Sequence, residues 1–488
     1  MDTKWFDDLE SKIPHGKVRT RFAPSPTGYM HVGGLRTALY AFLIAKINKG
    51  TFILRIEDTD TARFVYGATE VIIKTLKDAG LNYDEGPDIG GPVAPYTQSE
   101  RRELYKPYAE LLCSKGAAYY CFCEKTETQI TQEDGCVTDP CRDLPYESSK
   151  NRAEANEPFV IRMKAPGDGE TTVVDEVFGE VTTPNKTLDD MVLLKRDGLP
   201  TYNFANVIDD HLMGITHVMR GSEYISSAPK YNLLYKAFGW KIPVYITVSL
   251  IMRDAHHKLS KRDGDPTYND LIERGYLPEA VLNYVALLGW SPGGEREMFT
   301  LDDMLEVFNV NGISKAPAIF DIEKLNYFNS EYIRAMPPEE FAGIANPYIR
   351  SVIKKESISS DAVAGVLQAR CERLNDIPEK IDFFESLPDY DTELFIHKKS
   401  KTDKTVSRDM LIAAQAGFEE LSEWSGEAIH DMLISLALKL EVKNATLMWP
   451  VRIAVAGKAV TPGGAIEICF ILGRDETLRR ISIGLSKL

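Results

Sequence analysis

Long apolar runs are missing from this chain of 488 residues, and basic side chains, cysteine and histidine are all scarce. No stretch approaches the roughly 20 apolar residues of a membrane-spanning helix, so we predict a soluble, cytoplasmic protein without a membrane partner. The 57 lysines and arginines are outnumbered by 72 aspartates and glutamates, and the net charge of −15 argues against general nucleic-acid binding. An acidic enzyme can still bind RNA through a local cluster of basic residues.

The beginning of the chain does not resemble a targeting segment, because residues 1–16 are acidic and lack an apolar core. The chain is long enough for three or more domains, each with a core of its own. A hydrophobic content of 44% is typical of globular proteins. We therefore expect a multidomain globular protein.

Five of the seven cysteines lie between Cys113 and Cys141. In a large cytoplasmic protein this clustering favours a metal site over a disulfide framework. Four thiolates can form a tetrahedral zinc site, and the candidate ligands are Cys121, Cys123, Cys136 and Cys141. Such a zinc ion would be structural and would stabilise a small, loop-rich module. Four free cysteines are the alternative.

Residues 21–34 form the most informative segment of the sequence. A strand-like run ends at Phe22, a turn rich in proline and glycine follows, and an apolar helical stripe begins at Leu35. The free N–H groups at a helix start attract phosphate, and His31 lies just ahead of them. The segment therefore predicts a nucleotide site at the end of a parallel strand, with an ordinary strand-to-helix connection as the alternative.

Charged residues end two other strand-like runs, and two polar residues share a predicted helix. Glu57 ends the strand-like run that begins at Thr51, where it could meet a substrate amine, and Arg220 ends the run that begins at Thr216. Tyr202 and Asn206 are four residues apart on a predicted helix, so they share a face. Glu57 and Arg220 would thus each place a charged group at the carboxyl end of a strand, where open α/β sheets bind ligands.

A short basic run, Lys258-Leu-Ser-Lys-Arg262, follows another strand-like segment. Cations on such a loop can stabilise the negative charge that develops on a triphosphate as its pyrophosphate leaves. A solvated basic loop would be the ordinary interpretation of this run taken alone. Its position some 220 residues after the first motif favours the catalytic interpretation.

Two of these motifs together resemble the signatures of class I aminoacyl-tRNA synthetases, in the form found in bacterial glutamyl-tRNA synthetases. The first is Ala23-Pro-Ser-Pro-Thr-Gly28 with His31-Val-Gly-Gly34, and the second is the Lys258–Arg262 run. The last histidine of the first signature is replaced by Gly34, as is common in that form. Arg55-Ile-Glu-Asp-Thr-Asp60 adds to the resemblance, which extends from Val18 to the C-terminus.

The resemblance implies ATP-dependent attachment of L-glutamate to tRNA(Glu) through a glutamyl-adenylate, with release of AMP and pyrophosphate and with Mg²⁺ bound to the ATP. The implied glutamate-binding residues are Arg21, Ala23, Ser25, Glu57, Tyr202, Asn206 and Arg220. The implied ATP-binding residues are His31, Gly33, Gly34, Lys258, Leu259, Ser260 and Lys261. Of these, His31, Lys258 and Lys261 are the implied catalytic residues.

The resemblance also implies a multidomain α/β fold, in which a Rossmann-like nucleotide-binding domain with a connective insertion precedes an all-α anticodon-binding region. The expected bounds are 1–105 and 201–262 for the two halves of the catalytic domain, 106–200 for the insertion that holds the tRNA acceptor end, 263–329 for a stem-contact region and 330–488 for the helical region. The candidate tRNA contacts in the helical region are Arg452, Arg479 and Arg480. We expect a monomer.

Two alternatives stay open at the level of sequence. One is a non-discriminating enzyme that also charges tRNA(Gln). The other is a catalytically inactive RNA-binding regulatory protein on the same fold, although the intact His31, Lys258 and Lys261 argue against it.

Overall fold

The computed structural model describes residues 3–60, 65–123, 139–259 and 264–488. These residues divide into two compact units. The first comprises the residues up to Leu271 together with Val281–Asp321, and the second comprises Ile272–Ala280 together with Ile322–Leu488. Within the described ranges, none of the helices is both long and apolar enough to span a membrane.

The first unit is built on a six-stranded sheet with the order β2-β1-β8-β9-β5-β6. The strands of the described residues are β1 (Arg19–Phe22), β2 (Thr51–Leu54), β3 (Ala118–Cys121), β4 (Val160–Met163), β5 (Glu170–Asp175), β6 (Gly179–Pro184), β7 (Val192–Leu194), β8 (His217–Gly221), β9 (Val244–Val248), β10 (Ile251–Met252) and β11 (Ala318–Ile319). From β2 to β5 all neighbouring strands of the main sheet are parallel. Their carboxyl ends therefore meet at one edge, where open α/β sheets bind ligands.

Helices cover this sheet, as the alternation of strand and helix requires. The helices that begin before residue 321 are α1 (Thr3–Glu10), α2 (Val32–Ile47), α3 (Ala68–Asp78), α4 (Arg102–Ser114), α5 (Tyr146–Glu154), α6 (Tyr202–Leu212), α7 (Ala228–Phe238), α8 (Tyr268–Glu273), α9 (Pro278–Leu287) and α10 (Leu301–Val307). The predicted Rossmann-like domain is confirmed.

The strand β1 is buried along its whole length although two of its four residues are arginines. Arg19 satisfies its charge on Glu85, with nitrogen–oxygen distances of 2.8 and 2.9 Å. The chain then turns and enters α2, whose N-cap is His31: its Nδ1 accepts from the main-chain N–H of Gly33 at 3.2 Å. The predicted strand, turn and helix of residues 21–34 are therefore present.

Part of the segment 106–200 forms a sheet of its own, and part extends the main sheet. The strands β3, β4 and β7 form a three-stranded antiparallel sheet. The hairpin of β5 and β6 instead joins β9 and continues the main sheet. The expected insertion 106–200 includes this hairpin, whose alternating pattern does not reveal its pairing partner.

The second unit is helical in its regular structure, as predicted for the C-terminal region. Its helices beyond residue 321 are α11 (Ile322–Ala335), α12 (Pro338–Val352), α13 (Ser360–Leu367), α14 (Ile377–Glu385), α15 (Lys404–Glu420), α16 (Gly426–Lys439), α17 (Asn444–Ala456), α18 (Ala465–Leu472) and α19 (Arg474–Lys487). One continuous apolar core, which includes Phe341, Phe418 and Val451, lies between them.

Candidate active site

A cavity of about 700 Å³ opens at the carboxyl edge of the main sheet. Among the residues predicted from sequence, those that line it are Arg21, Ala23, Ser25, His31, Gly33, Gly34, Glu57, Tyr202, Arg220, Lys258 and Leu259. Asn206 is not among the lining residues: it is buried, and its amide donates to the carbonyl of Tyr202 at 2.8 Å. Ser260 and Lys261 lie outside the described residues.

Short main-chain contacts hold the two polar walls of the cavity together. The N–H of Glu57 donates to the carbonyl of Pro24 at 3.0 Å, so the end of β2 lies beside the turn that follows β1. That turn passes through Gly28, whose φ of 114° is a conformation that favours glycine. These contacts place Glu57 and Ser25 on the same cavity.

The start of α2 forms the other end of the cavity. Gly33 and Gly34 line it, and a Cβ atom built on Gly33 would come no nearer than 3.5 Å to the described protein atoms. Packing within the protein therefore does not require glycine at Gly33. Glycine there leaves room of about one methyl group beside the N–H groups of a helix start, which suits the approach of a phosphate group.

Five buried charged groups form a network at the cavity, and three of them, Arg21, Glu57 and Arg220, line it. Arg21 donates to both carboxylate oxygens of Asp210, at 2.9 and 3.2 Å, and to the carbonyl of Met219. Arg55 joins Asp210 at 2.7 Å to Glu57 at 2.8 Å. Arg220 lies 3.8 Å from the same Asp210 carboxylate. The three guanidinium groups outnumber the two carboxylates by one, so the network carries one net positive charge.

Two members of the network have unsatisfied polar atoms. Among the described residues, neither Glu57 Oε2 nor the Nε and Nη1 atoms of Arg220 has a hydrogen-bond partner, although all three atoms are buried. An unpaired buried donor or acceptor is costly, and more so when it is charged. A ligand in the cavity that offers a carboxylate to Arg220 and an ammonium to Glu57 would remove this cost.

The network shifts the acid–base behaviour of its carboxylates in opposite directions. Burial raises the pKa of Glu57 above its usual value, and the neighbouring Arg55 only partly opposes this effect. Burial would also raise the pKa of Asp210, but Arg21 and Arg55 outweigh it and lower that pKa to about 2. Asp210 is thus a fixed negative charge at neutral pH. The ionised form of Glu57 is destabilised by burial, so a bound cation would stabilise it.

Sequence reasoning missed Arg55 and Asp210, although signals for both exist. Arg55 and Glu57 are two residues apart in an extended segment, so they face the same side. Asp210 is four residues beyond Asn206 and eight beyond Tyr202, on one stripe of α6. Following the alternation of the extended segment back from Glu57 leads to Arg55, and following the face of α6 on from Asn206 leads to Asp210.

Three of the predicted zinc ligands come together with a fourth group that was not predicted. Cys121, Cys123, Cys141 and Asp139 each bring a ligand atom within 4.8 Å of the others. Cys123 and Cys141 have their sulfur atoms 3.5 Å apart, and Asp139 accepts from Cys121 at 2.7 Å. Burial is the main cause that raises the pKa of Cys121 to about 11. The predicted ligand Cys136 lies outside the described residues.

The three arginines predicted to contact tRNA lie in very different environments. Arg452 is half-buried, donates to Thr461 Oγ1 at 2.9 Å and lies over the Trp449 ring at 4.5 Å. Arg479 has an exposed side chain that pairs with Glu476.

Arg480 is fully buried and donates to the carbonyl oxygens of Phe383 and Val455. The prediction of a tRNA contact at Arg480 does not fit this position, because the guanidinium is enclosed by the helical core. Arg480 is therefore not proposed as a tRNA contact.

Comparison with known proteins identifies the class of protein that this fold and cavity define. Residues 17–327 match the family of class I tRNA synthetases (E and Q), catalytic domain, and residues 340–485 match an anticodon binding domain. The described cavity lies within the first of these ranges. The fold is that of a class I tRNA synthetase.

Individual relatives narrow the class. The chain is 54% identical over 479 residues to a glutamate–tRNA ligase of Clostridium botulinum, which covers 97% of this chain and 99% of the relative, and equally identical to one of Clostridium tetani. A solved glutamate tRNA ligase from Elizabethkingia meningosepticum, in complex with its amino acid, is 36% identical, with a TM-score of 0.88 over 97% of this chain and 100% of that one. The chain belongs to the glutamate–tRNA ligase family, so the resemblance seen in the sequence is confirmed.

Proposed function

We infer that this protein catalyses the ATP-dependent attachment of L-glutamate to tRNA during translation. The observation that carries the assignment of the cavity is the pair of unsatisfied buried groups, Arg220 and Glu57, in a network with one net positive charge. Glutamate has two carboxylates and one ammonium, so its net negative charge would neutralise the network. The name of the Elizabethkingia relative, solved with its amino acid, supports this choice of substrate.

For the amino acid, we propose that Arg220 binds a glutamate carboxylate and that Glu57 accepts from the ammonium group. Ala23, Ser25 and Tyr202 would form the walls, while Arg21 presents a guanidinium already fixed by Asp210. Asn206 would act from beneath, through its hydrogen bond to the main chain of Tyr202. Glutamine is neutral overall and would leave a buried positive charge unpaired, which opposes its binding.

For ATP, the start of α2 with His31, Gly33 and Gly34 would receive the phosphates, and Lys258 and Leu259 would lie on the opposite side. Ser260 and Lys261 are proposed for the same loop on the basis of sequence. Mg²⁺ bound to ATP would neutralise part of the triphosphate charge. His31 is well placed to donate to a phosphate oxygen, because its Nδ1 is already an acceptor.

The proposed reaction needs no covalent nucleophile from the protein. An oxygen of the glutamate α-carboxylate attacks the α-phosphorus of ATP, and the bond to pyrophosphate breaks to leave glutamyl-adenylate. A terminal ribose hydroxyl of tRNA then attacks the activated carbonyl, loses its proton and releases AMP. The protein contributes by orienting the reactants and by stabilising charge on the leaving group with His31, Lys258 and Lys261.

We propose that the remaining regions bind tRNA: 106–200 the acceptor end, 263–329 the stem and 330–488 the anticodon. The match of residues 340–485 to an anticodon binding domain supports the last of these. Arg452 and Arg479 are the candidate contacts, since neither residue is fully buried. We further propose that the protein acts in the cytoplasm as a monomer.

The decisive experiment is aminoacylation of separate tRNA(Glu) and tRNA(Gln) with radiolabelled glutamate. Charging of tRNA(Glu) alone would establish a discriminating enzyme, and charging of both would establish a non-discriminating one. The absence of ATP- and glutamate-dependent charging of either tRNA would contradict the proposed function and favour an inactive RNA-binding protein.

We also propose that Cys121, Cys123, Asp139 and Cys141 hold a structural zinc ion. Three sulfur atoms and a carboxylate oxygen are suitable ligands for a closed tetrahedral site, and their mutual distances fit one. Arg162, whose Nε lies 3.1 Å from Asp139, would orient this carboxylate from outside the cluster. The ion would hold the end of β3 to the loop around Asp139.

Purified protein is expected to contain about one zinc ion per chain by elemental analysis, as a closed structural site requires. Asp139→Asn should lower this content strongly, because a neutral amide is a poor zinc ligand. Asp143→Asn is the matched control, since this neighbouring carboxylate is 85% exposed and pairs with Lys164. Equal zinc content in the two variants would contradict Asp139 as a ligand.

A further inference from the structure

Asp210 is the point at which the buried network converges. It lies in the last turn of α6, and its side chain is only 1% exposed. Its two oxygens accept from Arg21 and Arg55, and the guanidinium of Arg220 lies 3.8 Å away. A single carboxylate thus contacts or faces three arginines that belong to β1, to the end of β2 and to β8.

Without this carboxylate the three guanidinium groups would repel one another in a buried space. Arg21 would keep its contact with the carbonyl of Met219, and Arg55 would keep Glu57 and a weak contact with the sulfur of Met213. The guanidinium of Arg55 would then pair with the carboxylate of Glu57 and no longer with a second carboxylate that fixes its position. Glu57, which is proposed to bind the ammonium, would therefore be held by Arg55 alone, and Arg55 would no longer be fixed by Asp210.

We propose that Asp210 is a positioning residue for the amino-acid site: it fixes Arg21 and Arg55, and through Arg55 it fixes Glu57, without touching the substrate. This inference rests on the proposed glutamate site. Asp210 does not line the cavity, which separates its role from that of the groups that would bind substrate. Because Asp210 pairs with Arg21 and Arg55, Arg220 is the one of these three arginines that keeps nitrogens without a hydrogen-bond partner among the described residues.

The neighbouring Asp209 provides a matched control. It is equally buried, and it pairs with Arg101 at 2.7 Å and with Gln98 at 2.9 Å. These partners belong to the segment before α4 and do not line the cavity. A substitution at Asp209 should therefore disturb the fold about as much as one at Asp210, but not the geometry of the amino-acid site.

The test compares the steady-state KM for glutamate and kcat of wild type, Asp210→Asn and Asp209→Asn, with active-site titration to correct for misfolded enzyme. Asp210→Asn is expected to raise the KM about 100-fold, because displaced charged groups would bind the amino acid less tightly in the ground state and the transition state alike. Its kcat should change much less, because the groups it positions contact the amino acid and not the leaving pyrophosphate. Asp209→Asn should leave the KM within about threefold of wild type while lowering the melting temperature.

Asp210→Glu keeps the charge and tests the proposal if the asparagine variant does not fold. One added methylene displaces the carboxylate, so the KM should still rise about tenfold. A wild-type KM in a folded Asp210→Asn would overturn the proposal, as would an equal rise in Asp209→Asn. If Asp210→Asn does not fold, a wild-type KM in Asp210→Glu would overturn it. If wild type itself fails to use glutamate, the proposed function fails and not this inference alone.

Discussion

Arg220→Gln is expected to lower kcat/KM for glutamate about a thousandfold, because truncating one partner of a buried charge pair typically costs 2–5 kcal/mol or more. The guanidinium is buried, and two of its nitrogens have no partner among the described residues. Tyr231, whose ring centroid is 4.9 Å from the guanidinium, helps to hold it in place. Aminoacylation rates at varied glutamate concentration provide the measurement.

The same variant should lose its preference for glutamate over glutamine. In wild type the net positive charge of the network favours the ligand with a negative side chain, and Arg220→Gln removes that charge. The control is Arg296→Gln, an exposed arginine of the same unit that pairs with Asp303, which should leave both rates unchanged. A folded Arg220→Gln enzyme that still prefers glutamate by the wild-type ratio would refute the assignment of Arg220.

The sequence predicted most of the residues around the cavity because each follows a strand or begins a helix. Strand ends in a parallel sheet meet at one edge, so Arg21, Glu57 and Arg220 could be grouped before their distances were known. What the sequence could not reveal is which charges neutralise one another. Arg21 was predicted to belong to the glutamate site, and it does line the cavity, but nothing in the sequence indicated that its guanidinium is also engaged with Asp210.

Two other differences between the predictions from sequence and the structure concern the cysteine cluster and the β5–β6 hairpin. Asp139 lies two residues before the predicted ligand Cys141 and reaches the cysteine cluster with it, but the sequence analysis considered only cysteines as ligands. The β5–β6 hairpin joins the main sheet through β9. Such contacts between distant segments depend on tertiary packing, which local periodicity does not encode.

Arg479 and Arg480 are adjacent arginines with very different burial, which the local sequence does not reveal. Both interact with Glu476, one turn earlier in α19, yet the side chain of Arg479 is 55% exposed and that of Arg480 is fully buried. The helix turns about 100° per residue, so neighbours face different surroundings. The apolar stripe of α19 is interrupted by Arg480, and only its buried carbonyl partners explain why a charge is tolerated there.

Arg480→Met is therefore expected to destabilise the second unit by about 3 kcal/mol, because it leaves two buried carbonyl groups without a donor and removes a buried charge from its partner. Methionine has a similar length and would fill most of the space, so the loss is chiefly polar. For a unit of this size the change corresponds to a fall in melting temperature of about 6–12 °C. Thermal unfolding of the full chain, followed by circular dichroism, measures it.

Arg479→Met removes the same chemical group from the same carboxylate, but at the surface, where an ion pair contributes less than about 1 kcal/mol. Its melting temperature should stay within about 3 °C of wild type, and any weaker binding of tRNA would then reflect lost phosphate attraction and not unfolding. Arg480→Met should weaken tRNA binding only at temperatures where the second unit begins to unfold. Equal losses of stability in the two variants would show that burial does not distinguish these arginines. A tRNA affinity that falls in Arg480→Met well below its melting temperature would restore Arg480 as a direct contact.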